Sequence, residues 1–154
     1  MNTKDQIKQA IKEAGFNLRQ VSVRSRRGGY DSSFCLTIRD ASVSKKQIKE
    51  IALSFKSVSY CEASQEILCG GNTWVDVSAS EEVLDVWAEK YEWLVKGAIE
   101  EGKDNFRIGR FWINAEDKYN MNIYDKENRH HFSMNYYNGA YRSMAIDMYL
   151  AEQN

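Results

Sequence analysis

Hydrophobic residues in the first third of the chain recur with two spacings, which predict two helices and two strands. In residues 3–14 and 44–55, apolar side chains return every three to four positions, as on one face of an amphipathic helix. In residues 21–23 and 34–38 they alternate with polar residues, which is typical of half-buried strands. The expected order is helix, strand, strand, helix.

Further strands are expected after the second helix. Short alternating runs at residues 58–61 and 66–68 predict a hairpin, and the turn at Gly70-Gly71 leads into a strand at residues 73–77. Residues 1–78 therefore predict an N-terminal αββαββ unit.

The second half predicts a long helix, an antiparallel sheet and a closing helix. Residues 80–101 carry an apolar seam at helical spacing, so one long central helix is expected. Three alternating segments separated by short polar turns then predict a three-stranded antiparallel meander, at residues 107–114, 119–124 and 129–137. Residues 140–152 are apolar on most sides and are expected to form a largely buried closing helix.

The chain is therefore expected to be an α+β protein with two domains. Residues 1–78 form the αββαββ domain, and residues 79–154 hold the central helix, the meander and the closing helix, packed on the first domain. A length of 154 residues suits one large domain or two small ones, and a hydrophobic fraction of 43% is sufficient for a folded core.

Composition favours a cytoplasmic protein. No apolar run approaches the roughly 20 residues needed to cross a bilayer, and the N-terminal segment lacks the apolar centre of a signal peptide. The cysteines Cys35, Cys61 and Cys69 are odd in number and form no Cys-x-x-Cys pair, which fits reduced thiols in a cytosol.

The net charge of −1 conceals a strong asymmetry along the chain. Residues 1–60 carry 12 Lys and Arg against 5 Asp and Glu, whereas residues 61–154 carry 9 against 17. Such halves can steer partners of opposite charge, attract each other, or simply be two solvated surfaces.

Basic residues of the N-terminal domain form the first candidate site. Arg24 and Arg39 are expected on the outer face of the first two strands, and Trp74 has the outward parity of its own strand. Guanidinium groups bind phosphates and an indole stacks on bases, so this face is a candidate nucleic-acid surface. An acidic protein partner, or burial of the face beneath the second half, is the alternative. The residues assigned to partner or nucleic-acid binding are Arg24, Arg26, Arg27, Tyr30, Arg39, Lys45, Lys49 and Trp74.

The second half carries two candidate protein interfaces. Glu81, Asp85 and Glu89 form an acidic stripe on the central helix, which either imitates the phosphates of nucleic acid or is an ordinary solvated helix face. Tyr124 and Tyr137 have the outward parity of the meander, beside asparagines. An exposed tyrosine face is typical of a protein interface or a homodimer, with scattered surface tyrosines as the alternative.

Catalytic and metal-binding patterns are not found in the sequence. His130 and His131 are adjacent on a predicted strand and point to opposite faces, so they are poorly placed to hold one ion. Cys35 has no neighbouring base in the sequence, and neither Gly-Gly pair belongs to a phosphate-binding motif. No catalytic residue, metal or cofactor is therefore assigned.

Two segments of the N-terminal domain carry a family resemblance. The first is Val-Ser-Val-Arg at 21–24 with the hairpin at Gly28-Gly29, and the more specific second one is Glu-Ile-Leu-Cys-Gly-Gly-Asn-Thr-Trp-Val at 66–75. With these residues, positions 15–78 resemble the large polyvalent protein-associated domains of mobile genetic elements such as phages and plasmids. The resemblance implies an accessory protein of such an element and brings no catalytic residues.

This resemblance and the lack of catalytic patterns lead to a hypothesis of function. We expect a non-enzymatic binding protein of a mobile element, which inhibits host defence in the bacterial cytoplasm by occupying an effector such as a CRISPR nuclease, as anti-CRISPR proteins do. The alternative is a nucleic-acid-binding accessory protein that uses the basic face. A protein partner is expected, nucleic acid and a second copy of the chain are further candidates, and no membrane partner is expected.

Overall fold

The protein is α+β, as the sequence predicts. A computed structural model describes residues 2–26, 29–102, 104–117, 120–124, 130–135 and 140–153. In these residues it has five helices and seven strands in two sheets. The chain divides into two compact units, Met1–Val83 and Leu84–Asn154, so the division lies five residues beyond the boundary that the sequence suggests. No helix in the described part of the chain is long and apolar enough to cross a membrane.

The first unit is a three-stranded sheet with two helices packed on one face. Its elements are α1 (Thr3–Glu13), β1 (Val21–Arg26), β2 (Ser32–Ile38), α2 (Lys45–Phe55) and β3 (Thr73–Ala79). The central strand is β2, which pairs antiparallel with β1 and parallel with β3. Ile7 and Ile11 of α1, Ile48 of α2 and Leu36 of β2 are fully buried, so the core lies between the helices and the sheet.

The segment between α2 and β3 differs from the predicted hairpin of regular strands. In this fully described stretch, residues 58–61 and 66–68 are joined by one isolated bridge, between Tyr60 and Ile67. The unit is therefore αββαβ with a bridged loop, rather than αββαββ. A short hairpin needs a buried face to become regular, and here Tyr60 and Ile67 are 53% and 49% exposed.

The second unit is a four-stranded antiparallel sheet with helices on one face. After α3 (Glu81–Glu89), which begins in the first unit, its elements are α4 (Glu92–Glu100), β4 (Asn105–Ile108), β5 (Phe111–Asp117), β6 (Asn120–Tyr124), β7 (His130–Asn135) and α5 (Ala140–Glu152). The strands pair in chain order. Val95 of α4, Phe111 and Ile113 of β5, and Met144 and Met148 of α5 are fully buried in its core.

The predicted single central helix is two helices, α3 and α4. Tyr91 lies between them with a φ of −118°, and its N–H donates to the carbonyl of Ala88 at 3.1 Å in a tight turn. The break directs the Tyr91 side chain into the core, where its ring meets Phe111 edge-on with 6.0 Å between centroids. Neither Gly nor Pro stands at this point, so the local sequence gives no sign of the break.

The predicted strand at residues 107–114 is two strands, so the meander has four strands among the described residues rather than three. Gly109 and Arg110 form the turn between β4 and β5. Gly109 has a φ of +57°, a left-handed conformation that glycine adopts without steric cost at a hairpin turn. The two halves of the predicted strand therefore fold back on each other, and Arg107 pairs with Trp112.

Candidate binding surfaces

The outer face of the first sheet carries two of the predicted arginines and Trp74. Buried residues alternate along β1 and β2, so the residues between them form the face opposite the helices. The strand register places Arg26 and Trp74 in one cross-strand row, on either side of Ser33, with Arg24 in the next row. Since neighbouring strands lie about 4.8 Å apart, the backbones of Arg26 and Trp74 are separated by about 10 Å.

Among the described residues, the predicted cations do not form one continuous surface. Asp76 occupies the position two strands from Arg24 in the same row, and both side chains are exposed. Arg39 follows β2 at the opposite end of the sheet from Arg26, and Lys45 and Lys49 belong to α2, on the face that the helices cover. The predicted nucleic-acid surface is therefore divided into separate patches.

Trp74 is half-buried and is held by Asp31. Its indole Nε1–H donates to Asp31 Oδ2 at 3.1 Å, and Lys56 Nζ lies 5.5 Å from the centroid of its ring. The hydrogen bonds that Trp74 and the backbone of Asn72 donate hold the pKa of the Asp31 carboxyl below its ordinary value. Asp31 also lines an open cleft of about 460 Å³ beside Arg26.

Asn72 is the buried centre of this region, with 2% of its surface exposed. Its backbone N–H and its Nδ2 donate to the two carboxylate oxygens of Asp31, at 3.1 and 3.2 Å. Its Nδ2 also donates to the carbonyl of Leu68 at 2.7 Å, and its Oδ1 accepts the N–H of Ser59 at 2.8 Å. The side chain therefore ties the loop at residues 57–72 to the beginning of β2.

This loop exposes several large side chains. Tyr60, Ile67 and Leu68 are 53%, 49% and 47% exposed, and Tyr30, which precedes β2, is 92% exposed. The carbonyl of Tyr30 accepts the N–H of Gly71 at 3.2 Å, so Tyr30 adjoins the loop. Tyr30, Tyr60, Ile67 and Leu68 are called the loop patch below.

Sequence reasoning found only Tyr30 among the loop-patch residues. It assigned Tyr60 and Ile67 to the two regular strands of a hairpin, and one face of each strand would then have been buried. The available signal was the presence of large apolar residues on both arms of a hairpin that is too short to form a buried face by itself.

The outer face of the second sheet presents an arginine, a tryptophan and a tyrosine in one row. The register pairs Arg107 with Trp112 across β4 and β5, and Trp112 with Tyr124 across β5 and β6. Trp112 is 47% exposed, Arg107 is exposed and Tyr124 is half-buried. The next row consists of asparagines, which are Asn105, Asn114 and Asn122.

Of the residues predicted for this face, Tyr124 lies on it. Tyr137, like Arg27 of the basic set, lies outside the described residues. Sequence reasoning missed Arg107 and Trp112, because it placed both on one strand and not on opposite sides of a hairpin turn.

The predicted acidic stripe is exposed, and all three of its residues lie on one helix. Glu81, Asp85 and Glu89 lie on α3, which ends at Glu89. Asp85 forms an ion pair with Arg142 of α5, at 2.6 Å between Oδ1 and a terminal guanidinium nitrogen. One member of the stripe therefore attaches α3 to the closing helix.

A cluster of ionisable side chains that the sequence did not indicate connects α5 to the turn before α4. Glu152 accepts hydrogen bonds from Lys90 Nζ at 2.6 Å and from the hydroxyl of Tyr91. Burial acts to raise the pKa of Glu152, yet the bonds from Lys90 and Tyr91 and the charges of Lys90 and Arg110 hold it below its ordinary value. Burial, followed by the bond to Glu152, raises the pKa of Tyr91. Arg110 donates to the carbonyl of Ala151 at 2.7 Å, so the cluster attaches the end of α5 to the sheet and the helix turn.

The nucleophile and metal candidates gain no supporting partners in the described part of the chain. The Sγ of Cys35 has the hydroxyls of Thr37 and Ser78 as neighbours, at 3.8 and 3.6 Å. No group of three His, Cys, Asp or Glu side chains among the described residues is arranged to hold a metal ion. His130 and His131 lie on β7, and their side chains are outside the described part of the structure.

Comparisons with known proteins identify no relative of this chain. It matches no model of a protein family, no curated protein and no solved structure. The resemblance to mobile-element domains therefore stays a prediction from residues 15–78.

Proposed function

We propose that this protein is a non-enzymatic, protein-binding protein and that the loop patch is its principal contact surface. The observation that carries the proposal is the exposure of four large side chains around a loop that the hydrogen bonds of the buried Asn72 hold in place. Tyr60 and Ile67 are partners in the bridge of this loop and so lie side by side. Groups of exposed large apolar side chains on folded domains are typical of contact sites, and tyrosine is enriched in the energetically important part of such sites.

Pre-organisation of the loop favours binding. The bonds of Asn72 to Leu68 and Ser59 fix the backbone beneath the patch, so a partner does not have to order it. Ile67 and Leu68 are each about half exposed, and covering the exposed half of each side chain contributes about 1 kcal/mol.

Charges beside the loop patch support a basic partner surface. Glu62 and Glu66 lie in the same loop and are both exposed. Their carboxylates complement a contact surface that is rich in Lys and Arg, which is the character of proteins that handle nucleic acids. The proposed partner therefore presents an apolar pocket bordered by basic side chains.

The class of partner follows from this charge and from the resemblance to mobile-element domains. We assign as partner an effector of bacterial host defence, such as a CRISPR nuclease, which the protein inhibits in the cytoplasm by occupying it. A nucleic-acid-binding role for the first sheet has less support, because Asp76 shares the row of Arg24 and because Asp31 holds Trp74.

The test measures DNA cleavage by purified CRISPR effector complexes in the presence of the purified protein. We expect cleavage to be lost at stoichiometric protein, and Ile67→Ser together with Leu68→Ser to weaken inhibition by about tenfold or more, because the two substitutions remove about 2 kcal/mol of apolar contact. Leu53→Ser is the matched control, since Leu53 is 65% exposed on α2, outside the patch. It should inhibit as the unsubstituted protein does.

A pull-down from a lysate of a CRISPR-bearing host, with and without nuclease treatment, completes the test. Capture of a defence effector that survives nuclease treatment and that Ile67→Ser/Leu68→Ser abolishes supports the proposal. It is overturned if that variant captures and inhibits as well as the Leu53→Ser control, or if no effector complex from such hosts is bound or inhibited.

A further inference from the structure

We propose that the outer face of the second sheet is a binding site for single-stranded nucleic acid. The site consists of Arg107, Trp112 and Tyr124 in one cross-strand row and Asn105, Asn114 and Asn122 in the next. These six residues are called the aromatic–asparagine face. This site is separate from the loop patch and does not depend on it.

The aromatic residues of the face are arranged for base stacking. Trp112 and Tyr124 are register partners on neighbouring strands, so their backbones lie about 5 Å apart and their rings project from the same side of the sheet. Trp112 is 47% exposed although Phe111 and Ile113, its neighbours in the chain, are fully buried. An exposed indole on a rigid strand is the kind of platform on which unpaired bases stack.

Arg107 adds a cation at one end of the aromatic row. Its Nε–H donates to the carbonyl of Gly109 at 2.9 Å, which holds the guanidinium beside the turn. That bond uses one of the five N–H donors of the group, and the planar fork of the others suits a phosphate. A nucleic acid whose bases stack on Trp112 and Tyr124 therefore has a phosphate-binding guanidinium in the same row, one β-strand away from Trp112.

The asparagine row supplies groups that can bind base edges. The side-chain amides of Asn105 and Asn114 each have both donors and an acceptor, as base edges have. The row lies two residues along the strands from the aromatic row, which is about 6.6 Å. Bases that stack on the aromatic row therefore place their edges within reach of the amides.

Charge distinguishes nucleic acid from other ligands of this face. The charge among these six residues is the positive charge of Arg107. A neutral carbohydrate would use the aromatic rings and the amides but would gain nothing from Arg107. A protein interface would be expected to have a larger apolar centre than Trp112 and Tyr124 form among the described residues of this face.

Fluorescence anisotropy of labelled oligouridine and oligodeoxythymidine measures the binding directly. We expect the full chain to bind at about 50 mM salt, with an affinity that falls as salt rises. Trp112→Ala should weaken binding by about fivefold or more, which is the loss that removal of one base-stacking aromatic produces. Trp93→Ala is the matched control, because Trp93 is 69% exposed on α4, away from the strands.

The Arg107→Gln variant provides a second measurement, the salt dependence of binding, which a residue with a purely structural role would not change. It should lower the slope of log Kd against log salt by about one, since one phosphate contact is removed. A preference for the uridine or the thymidine oligomer identifies RNA or DNA as the ligand, and either supports the site. Circular dichroism of each variant should match that of the unsubstituted protein.

Three results would overturn the proposal. They are the absence of binding to both oligomers, equal affinities of the Trp112→Ala and Trp93→Ala variants, and a salt slope that Arg107→Gln leaves unchanged. The Ile67→Ser/Leu68→Ser variant should bind the oligomers normally, so failure of the loop-patch proposal and failure of this one are distinguishable.

Discussion

The indole of Trp74 donates a 3.1 Å hydrogen bond to the carboxylate of Asp31, 43 residues earlier in the chain. The bond joins the beginning of β3 to the residue that precedes β2, and the same carboxylate accepts two bonds from Asn72. A tryptophan that the sequence presents as a binding residue thus helps to hold the loop that carries the exposed patch.

Asn72→Ala is expected to loosen this loop. The substitution removes the bonds that the Asn72 side chain makes to the N–H of Ser59 and the carbonyl of Leu68, which costs about 0.5–1.5 kcal/mol of unfolding free energy for each bond. Urea denaturation measures the loss, and limited proteolysis should show faster cleavage within residues 57–72. Asn105→Ala, at an exposed position, should change the free energy by less than about 0.5 kcal/mol. Equal cleavage rates in the two variants would contradict the role given to Asn72.

Asp31→Asn should show a pH-dependent loss of stability. The folded pKa of Asp31 lies below its unfolded value, so the ionised carboxylate stabilises the protein above about pH 4, and this contribution is lost as the pH falls through the lowered folded pKa. The difference in Tm between the two proteins should therefore be largest at neutral pH and shrink in acid. A difference that stays constant down to the acid unfolding of both proteins would show that the charge of Asp31 is not involved.

Glu152→Gln is expected to destabilise the second unit by about 1–2 kcal/mol, because its bonds from Lys90 and Tyr91 lose the assistance of the charge. The folded pKa of Glu152 is lowered, so its contribution is present above about pH 4.3 and is lost as the pH falls through that lowered value. The bond to Glu152 is the main cause that raises the pKa of Lys90, whose contribution is present below about pH 10.4 and is lost as the pH rises through the raised value.

Chemical denaturation of the Glu152→Gln and unsubstituted proteins at several pH values checks this prediction. The difference in unfolding free energy should be constant between about pH 5.5 and 9 and should decrease on both sides. Lys96→Gln is the control, because the Lys96–Glu100 pair is exposed and 4.0 Å long, and such pairs contribute little. If Lys96→Gln lowered the unfolding free energy by as much as Glu152→Gln does, the stabilising role assigned to Glu152 would be wrong.

Two glycine substitutions should have opposite signs. Gly70 has a φ of +91°, and an added Cβ would lie 3.6 Å from that of Tyr30, so Gly70→Ala should cost about 1–2 kcal/mol through backbone strain. Gly97 lies inside α4 with open space around it, so Gly97→Ala should stabilise the protein by about 0.5–1 kcal/mol. The Tm of each variant, measured by thermal unfolding, tests both predictions. A higher Tm for Gly70→Ala would show that Gly70 does not have a positive φ in the loop.

The sequence determined the α+β class, the helices α1, α2 and α5, and the helical character of the segment that forms α3 and α4. This was possible because helix and strand periodicities are local: the apolar spacing that buries Ile7 and Ile11 on one helix face, or Leu36 on one strand face, is visible within a few residues. The charge asymmetry, the cysteine count and the outward parity of Arg24, Trp74 and Tyr124 likewise follow from the sequence alone.

Tertiary structure decided the break at Tyr91, the exposure of the loop patch and the row that contains Trp112. The hydroxyl of Tyr91 donates a hydrogen bond to Glu152, 61 residues later in the chain, and no local sequence pattern indicates that partner. The segment at residues 107–114 turns back at Gly109 and forms two strands. Arg107 therefore lies opposite Trp112 in a cross-strand row, whereas the sequence placed both residues on a single strand. Local spacing specifies which face of an element is apolar, whereas contacts between distant residues decide where an element ends and which side chains come together.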